Sequence, residues 1–157
     1  MSATPSSANA VNPDLVGRSF PPVRPYLVGR EKVREFSRAV FATNPINLDP
    51  DAARAAGYRD VVAPPTFPIV IQELTLAQLL AEPDAGIDFS RVVHGDQRFS
   101  FSRPIVAGDE LTATLTVVSV KSLGGHSIVT ARSDIRDAAG EHVVTATSAL
   151  VVRGDGE

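Results

Sequence analysis

The sequence has no cysteine, and its apolar stretches are short. Without cysteine the chain can form neither a disulfide nor a thiolate metal site, and a cysteine nucleophile is excluded. The apolar stretch at residues 69–71 is broken at once by Gln72 and Glu73, so we expect no membrane span. The first ten residues lack the positive and apolar regions of a secretory signal, which favours a cytoplasmic location.

An excess of positive charge is also missing. Fifteen Lys and Arg residues face eighteen Asp and Glu residues, which gives a net charge of -3. Phosphate binding needs a basic face, so this balance argues against a nucleic-acid partner. The three histidines, His94, His126 and His142, do not have the spacing of metal ligands, and we expect neither a metal nor another cofactor.

The length of 157 residues suits one domain, and a composition of 43% hydrophobic and 21% charged residues is typical of globular proteins. Residues 1–13, rich in Ser, Ala and Pro, predict a flexible N-terminal tail. Residues 14–152 are predicted to form a single domain, and residues 153–157 a second flexible tail.

Helical patterns dominate the first half of the domain. Residues 23–28 predict a short strand, which Pro25 places at a sheet edge. Residues 30–41 have apolar positions three and four apart and predict an amphipathic helix. Asp49 can cap a second, short helix that begins at Pro50, and Gly57 suits the left-handed position after its end.

The apolar segment from Phe67 to Ala81 predicts a longer helix, with Thr66 as its cap and Pro68 in its first turn. One face would carry Phe67, Val70, Ile71, Leu74, Ala77 and Ala81. Leucines at positions 76, 79 and 80 make the other side apolar too, which predicts a helix that is buried nearly all round.

From residue 88 onward the apolar period changes to two. Strand-like runs occur near residues 91–102, 110–121, 127–136 and 143–152, and turn signals at Gly124-Gly125 and at residues 137–140 separate them. Helices followed by four antiparallel strands predict an α+β domain, in which the long helix packs against one face of a curled sheet.

Several segments resemble the motifs of MaoC-like, R-specific acyl-thioester dehydratases, whose fold is the hotdog. Residues 44–49, NPINLD, followed by Ala53, resemble the hydratase motif D-x-N-P-[LI]-H-x-D and its alanine-rich helix. Residues 92–99, and RPIVAGDEL at residues 103–111, resemble the second strand and a Gly-Asp turn common in hotdog proteins. GREKVREF at residues 29–36 is similar to the non-catalytic, HadA/HadC-type subunits of actinobacterial (3R)-hydroxyacyl-ACP dehydratases.

The chain departs from this family where the family's chemistry is carried. Dehydration needs one group to remove a proton beside the carbonyl, another to protonate the leaving hydroxyl, and an N–H for the enolate oxygen. By the resemblance these positions are Ala42 for the Asp, Asn47 for the His and Pro65 for the N–H donor. None of the three residues can take the corresponding role. Proline has no N–H to donate, and neither alanine nor asparagine has a side chain that can transfer a proton. We therefore predict no catalytic residue.

The resemblance implies that the residues lining an acyl groove persist: Asn44, Asn47, Pro65, Thr66, Phe67 and His94. Other interpretations remain open for several of them. Asn44 could serve simply to end one helix before the next begins. Phe67 could belong to the core, and His94 could be a strand histidine bonded to backbone.

The remaining candidates for chemistry have ordinary explanations. Asp49 remains in the motif, but it is expected to be a helix cap. His126 and His142 are expected at the surface, and residues 100–102 lack the context of a nucleophile elbow.

The resemblance implies a non-catalytic subunit that pairs with a catalytic hotdog subunit. It would shape the groove for an acyl thioester, on acyl-carrier protein or coenzyme A, in fatty-acid or polyketide synthesis. A stand-alone acyl-thioester-binding homodimer is the alternative. A thioesterase-like hydrolase that uses Glu73 on the long helix is a third possibility.

Overall fold

The computed structural model describes residues 10–154, and its centre is a five-stranded antiparallel sheet that curls around one helix. The helices are α1 (Arg30–Ala39), α2 (Pro50–Ala55) and α3 (Ile69–Ala81). The strands are β1 (Tyr26–Leu27), β2 (Val92–Phe101), β3 (Glu110–Leu123), β4 (His126–Arg136) and β5 (His142–Val152). This arrangement confirms the predicted α+β class and the hotdog fold.

The strand order in the sheet is β1-β3-β4-β5-β2, so the two-residue β1 and the long β2 form its edges. The four long strands lie where the period-two runs predicted them. On β3 the alternation is clear, because Leu111, Ala113, Leu115 and Val117 are buried against the helix side. Thr112, Thr114 and Thr116 alternate with them and are only partly covered.

Helix α3 packs on the sheet, but with a different face from the predicted one. Its buried residues are Ile71, Gln72, Thr75, Leu76 and Leu79. Leu74, which was predicted to face the core, is 42% exposed, and Glu73 and Ala77 lie beside it on the open side. The prediction of a helix buried nearly all round is therefore wrong, because one side of α3 is uncovered in the isolated chain.

The start of α3 also differs from the prediction. Thr66 does not cap the helix, because its carbonyl accepts a hydrogen bond from the Ile69 N–H at 3.2 Å within a turn that precedes it. Pro68 occupies the N-cap position and makes no side-chain capping bond. The proline turn at residues 64–68 replaces the side-chain cap that the sequence suggested.

The short elements around α1 and α2 follow local signals. Asp49 Oδ1 accepts a hydrogen bond from the Asp51 N–H at 2.9 Å and caps α2, and Gly57 has a φ of +96° after its end, as predicted. Helix α1 ends two residues before the predicted end. Phe41 lies just beyond it with a φ of +57°, a left-handed conformation that is uncommon for a bulky residue.

The predicted flexible tails need correction where the structure describes them. Val11 is 4% exposed and packs in the core, and the Asn12 N–H donates to the Ala85 carbonyl at 2.9 Å, so ordered packing begins before residue 14. At the other end, the Arg153 N–H donates to the Arg91 carbonyl at 3.0 Å. Residues 1–9 and 155–157 of the predicted tails lie outside the described residues.

A polar side chain is buried between α3 and the sheet. Gln72 is fully buried, and its Nε2 donates to the Ala146 carbonyl at 3.1 Å, whereas its Oε1 has no hydrogen-bond partner among the described residues. An unpaired buried carbonyl costs about 1–3 kcal/mol. The unpaired oxygen of Gln72 therefore lowers the stability of the core.

Gln72→Met keeps the length of the side chain and removes both the unpaired oxygen and the bond to the Ala146 carbonyl. We predict that it changes the free energy of unfolding by less than about 1 kcal/mol, because these two effects oppose each other. The neighbouring core substitution Ile71→Ala should lower it by about 2–5 kcal/mol. Urea denaturation of the three proteins checks this. A loss above about 2 kcal/mol in Gln72→Met would contradict an unpaired Gln72 Oε1.

Candidate functional site

The connection between α1 and α2 forms one wall of the candidate site. It turns through a short 3-10 helix, Pro45–Asn47, which Asn44 starts by accepting a hydrogen bond from the Ile46 N–H at its Oδ1, 3.2 Å away. An asparagine cap followed by proline is a favoured way to begin such a turn. Asn44 therefore has a local structural role in addition to its place at the site.

Asn47, at the position of the family's histidine, is tied to the backbone of the next segment. Its Nδ2 donates to the Val62 carbonyl at 2.6 Å, and the side chain is 8% exposed. The Val62 N–H donates in turn to the Ile46 carbonyl at 2.9 Å. These two bonds join the loop to residues 61–63, and they hold the amide nitrogen of Asn47 in a structural contact.

The segment at residues 61–63 is held by the turn at residues 105–109. The Ala63 N–H donates to the Ile105 carbonyl at 2.8 Å, and the Ala107 N–H to the Val61 carbonyl at 3.0 Å. The turn itself is organised by the buried Asp109, whose Oδ2 accepts from the Val106 N–H at 2.9 Å.

Two arginines neutralise the Asp109 carboxylate. Arg103 Nη1 lies 2.8 Å from Asp109 Oδ2, and Arg59 Nη2 lies 2.9 Å from Asp109 Oδ1. Hydrogen bonding to Asp109 raises the pKa of Arg103 in spite of its partial burial. A second bond, from Arg103 Nη2 to Asp137 Oδ2 at 3.2 Å, connects the site to the turn between β4 and β5.

These segments border an open groove of about 490 Å³. It is lined by Asn44, Ile46, Asn47, Val62, Ala63, Pro65, Phe101, Ser102, Arg103 and Pro104. Most of this lining is apolar, and among the described residues no carboxylate and no imidazole lines it. The groove is suited to an apolar chain with a polar group near Asn44 and Ser102, and it lacks the acid–base pair that dehydration needs.

The structure brings together only part of the predicted site. Asn44, Asn47 and Pro65 line the groove, whereas Thr66 is exposed and lies outside its lining. Phe67 does not reach the groove, because it is fully buried and packs edge-on against Phe36 at a ring-centroid distance of 5.2 Å. The core interpretation of Phe67 is the correct one.

His94 lies elsewhere, in a second groove of about 420 Å³ beside the open side of α3. Its Nε2 lies 3.0 Å from Gln97 Oε1, so its partner is a side chain and not the backbone contact considered above. Glu73 lines the same second groove and is exposed. The two titratable residues are therefore grouped with the uncovered helix face and apart from the Asn44–Asn47 loop.

The wall at residues 101–104 and its contact with a histidine were not predicted from the sequence. Ser102 Oγ lies 2.5 Å from His142 Nδ1, and His142 is only partly exposed, so the expectation of a simple surface histidine is incomplete. The two residues are forty positions apart, and no motif connects them. They come together because β2 pairs with β5 up to Phe101 and the Ser102 N–H continues the pairing by donating to the Val143 carbonyl at 2.8 Å.

Within residues 10–154, no cluster of three or more His, Cys, Asp or Glu residues could hold a metal ion. No helix in that range is long and apolar enough to cross a membrane.

Comparison with known sequences identifies one family model and close relatives. The model of the FAS1-like dehydratase domain region matches residues 14–146. A UPF0336 protein of Leifsonia xyli subsp. xyli is 74% identical over 145 residues, which cover 92% of this chain and 97% of that protein. A UPF0336 protein of Streptomyces coelicolor is 52% identical over 144 residues, with 92% and 96% coverage.

Solved structures with the same fold include dehydratases. The chain is similar to a chain of the C-terminally truncated HadBC (3R-hydroxyacyl-ACP dehydratase) complex from Mycobacterium tuberculosis, with a TM-score of 0.79 and 35% identity, covering 88% of this chain and 97% of that one. A MaoC-like dehydratase from Rhodospirillum rubrum shares the fold, with a TM-score of 0.67, 23% identity, and coverage of 90% and 94%.

The different roles of the two loop asparagines can be tested with the same substitution. Asn47→Asp replaces a buried donor with a carboxylate facing the Val62 carbonyl, and we expect it to lower the free energy of unfolding by about 1–3 kcal/mol at neutral pH. Asn44→Asp keeps the accepting oxygen of the cap and should change stability by less than about 0.5 kcal/mol. Denaturation curves for both variants check this, and equal effects would contradict the assigned roles.

Proposed function

The chain belongs to the FAS1-like dehydratase domain family, with a MaoC-like hotdog fold, and we propose that it is the non-catalytic subunit of a heteromeric (3R)-hydroxyacyl-thioester dehydratase. In this role it forms part of the acyl groove, and a catalytic hotdog partner supplies the Asp, the His and the N–H donor. The substrate is an acyl thioester, on acyl-carrier protein or coenzyme A, in fatty-acid or polyketide synthesis.

The observation that carries this proposal is the use of the former catalytic loop as structure. Asn47 holds the Val62 carbonyl with its amide nitrogen, 2.6 Å away, where an active enzyme needs a base free to take a proton. Ala42 brings no titratable group, and Pro65 has no N–H for an enolate oxygen. The loop keeps its shape and its contacts without the groups that perform the reaction.

The retained groove supports a role in substrate binding. Its apolar lining, including Ile46, Val62 and Phe101, suits an acyl chain, and Asn44 brings a polar amide to the same space. A chain that served only as a scaffold would have no need of such an opening. The groove and the missing acid–base pair together favour a subunit that binds acyl groups and does not dehydrate them.

An uncovered surface supports the presence of a hotdog partner. Strand β2 pairs with β5 along one side, and among the described residues its other side has no neighbouring strand. Exposed apolar side chains lie near this edge, with Leu74 at 42%, Phe89 at 72% and Val93 at 48% exposure. An open strand edge beside an apolar helix face is suited to pairing with a second sheet. The HadBC structure, which is similar to this chain over most of its length, is a complex of a (3R)-hydroxyacyl-ACP dehydratase.

One feature of the edge favours the alternative, a homodimer that binds acyl thioesters without dehydrating them. Asp96 and Arg98 lie two residues apart on β2, are largely exposed, and contact each other at 3.0 Å. In an antiparallel pairing of two copies centred on Gln97, each Asp96 would lie opposite the Arg98 of the other copy. Such cross-strand pairs of opposite charge stabilise sheets modestly, by about 0.2–1 kcal/mol.

We predict that this chain alone does not hydrate a 2-enoyl thioester, and that activity appears when it is co-expressed with a hotdog subunit that retains D-x-N-P-x-H. Rates are compared for this chain, the partner alone and the co-purified pair. Replacing the partner's motif histidine with alanine should abolish the activity of the pair, because the acid–base group lies there.

Comparable activity of the isolated chain would overturn the proposal. A stable homodimer that binds the thioester and forms no complex with the catalytic subunit would favour the alternative. Substituting Ala42 with valine in the pair is a control for the degenerate loop, because it adds bulk and removes no proton-transfer group.

We further predict that Val93→Lys on β2 prevents association of this chain with a second hotdog subunit, because a lysine at a strand edge opposes pairing with another strand. Val118→Lys on β3 is the matched control, since Val118 is exposed to a similar extent, 44% against 48%, but lies away from the open edge. Molar mass from light scattering after size-exclusion chromatography measures association. Equal effects of the two variants would contradict the assignment of the β2 edge as the interface.

A further inference from the structure

A serine, a histidine, a threonine and an aspartate form a continuous hydrogen-bonded chain that ends at the 490 Å³ groove. Ser102 Oγ, which lines the groove, lies 2.5 Å from His142 Nδ1. His142 Nε2 lies 2.7 Å from Thr145 Oγ1. Thr145 Oγ1 donates to Asp134 Oδ1 at 3.1 Å. The four residues come from the end of β2, from β5 and from β4, which are adjacent in the sheet.

The carboxylate at the end of this chain determines the direction of every bond. Asp134 is an acceptor when ionised, so the Thr145 hydroxyl hydrogen points toward it. Thr145 Oγ1 must then accept from His142, which places the proton of the neutral imidazole on Nε2. Nδ1 is left with its lone pair toward Ser102, and the serine hydroxyl donates to it. This is the arrangement by which a base activates a serine.

The surroundings of Ser102 suit acyl chemistry. Apolar side chains of Ile46, Val62 and Phe101 line the groove beside it. Asn44 lines the same groove, and its Oδ1 is occupied by the Ile46 N–H, whereas its Nδ2 has no partner among the described residues. That amide is available to donate to the carbonyl oxygen of a bound acyl group.

We propose that Ser102 is an acyl acceptor, which His142 activates and which takes the acyl group from a short- or medium-chain thioester bound in the groove. Ser102 and His142 are the catalytic residues of this step. Thr145 and Asp134 are positioning residues that fix the imidazole tautomer. The proposal concerns the isolated chain and does not rest on the heteromeric role.

The step is balanced without any further reagent. Ser102 Oγ forms a bond to the thioester carbonyl carbon while its proton passes to His142 Nδ1. The carbon–sulfur bond then breaks, and the proton on His142 goes to the leaving thiolate, which departs as a thiol. The acyl group stays on Ser102 as an ester. Water can release it as the carboxylic acid, with His142 again accepting and returning the proton.

The test uses the full chain and hexanoyl-CoA. The chain has no cysteine, so the thiol of released coenzyme A can be titrated without any background from the protein, and no acyl group can be carried on protein sulfur. We expect thiol release, together with a hexanoyl adduct in the intact mass that peptide mapping places on Ser102. Turnover without an accumulated adduct also supports the proposal if it depends on Ser102.

Four variants separate activation from a general structural effect. Ser102→Ala should abolish thiol release, and Ser100→Ala, two residues earlier at the end of β2, should leave it unchanged. His142→Gln should lower the rate by about 10²-fold, the usual contribution of a general base. Asp134→Asn should also lower it, because an amide at this position no longer fixes the direction of the Thr145 hydroxyl.

Position 145 supplies a rescue that a merely structural role would not produce. Thr145→Val keeps the shape of the side chain and removes the hydroxyl, so it should lower the rate, whereas Thr145→Ser should restore it. Circular dichroism and melting temperatures establish that each variant is folded. Thiol release absent from the wild-type chain, or equal in Ser102→Ala and wild type, would overturn the proposal. Neither result bears on hydration of an enoyl thioester by the mixed pair, so the two proposals fail separately.

Discussion

The buried carboxylate of Asp109 is the interaction on which the groove depends. It accepts hydrogen bonds from the Val106 N–H and from two arginine side chains, and these bonds hold the turn at residues 105–109 in one conformation. A buried charge without such partners would cost several kcal/mol. This turn holds residues 61–63 in place through backbone hydrogen bonds, and residues 61–63 are hydrogen-bonded to the Asn47 loop. One ion cluster thus determines the position of three walls of the groove.

The loop at residues 44–47 keeps its shape without any titratable side chain. Asn47 donates to the Val62 carbonyl, and Asn44 caps the turn before it. Both bonds require an amide or an acceptor oxygen, and neither requires a group that titrates near neutral pH. The loop therefore needs neither an acid nor a base to keep its geometry. This is the physical reason why a groove can exist in a chain that has Ala42 and Pro65, and it is the basis of the proposed acyl-binding role.

The molecule has two separate grooves, and different structural elements border each of them. The groove beside Asn44 is bordered by the chain's own loops and is lined by Ser102, which contacts His142. The groove beside Glu73 and His94 is bordered by the open side of α3 and by the edge strand β2. A partner that pairs with β2 would cover the second groove. Both proposals use the first groove, one for binding the acyl chain in a heteromeric enzyme and the other for acyl transfer to Ser102.

Local signals in the sequence were enough for the elements whose ends depend on nearby residues. Asp49, Pro50 and Gly57 bound α2, and the period-two alternation locates β3, because capping and alternation act within a few residues. The motifs also identified the family. The orientation of α3 was decided only by the tertiary structure, because its sequence is apolar on both sides and periodicity cannot select a face. The Ser102–His142 contact likewise needed the fold, since only the pairing of β2 with β5 brings residues forty positions apart into hydrogen-bonding distance.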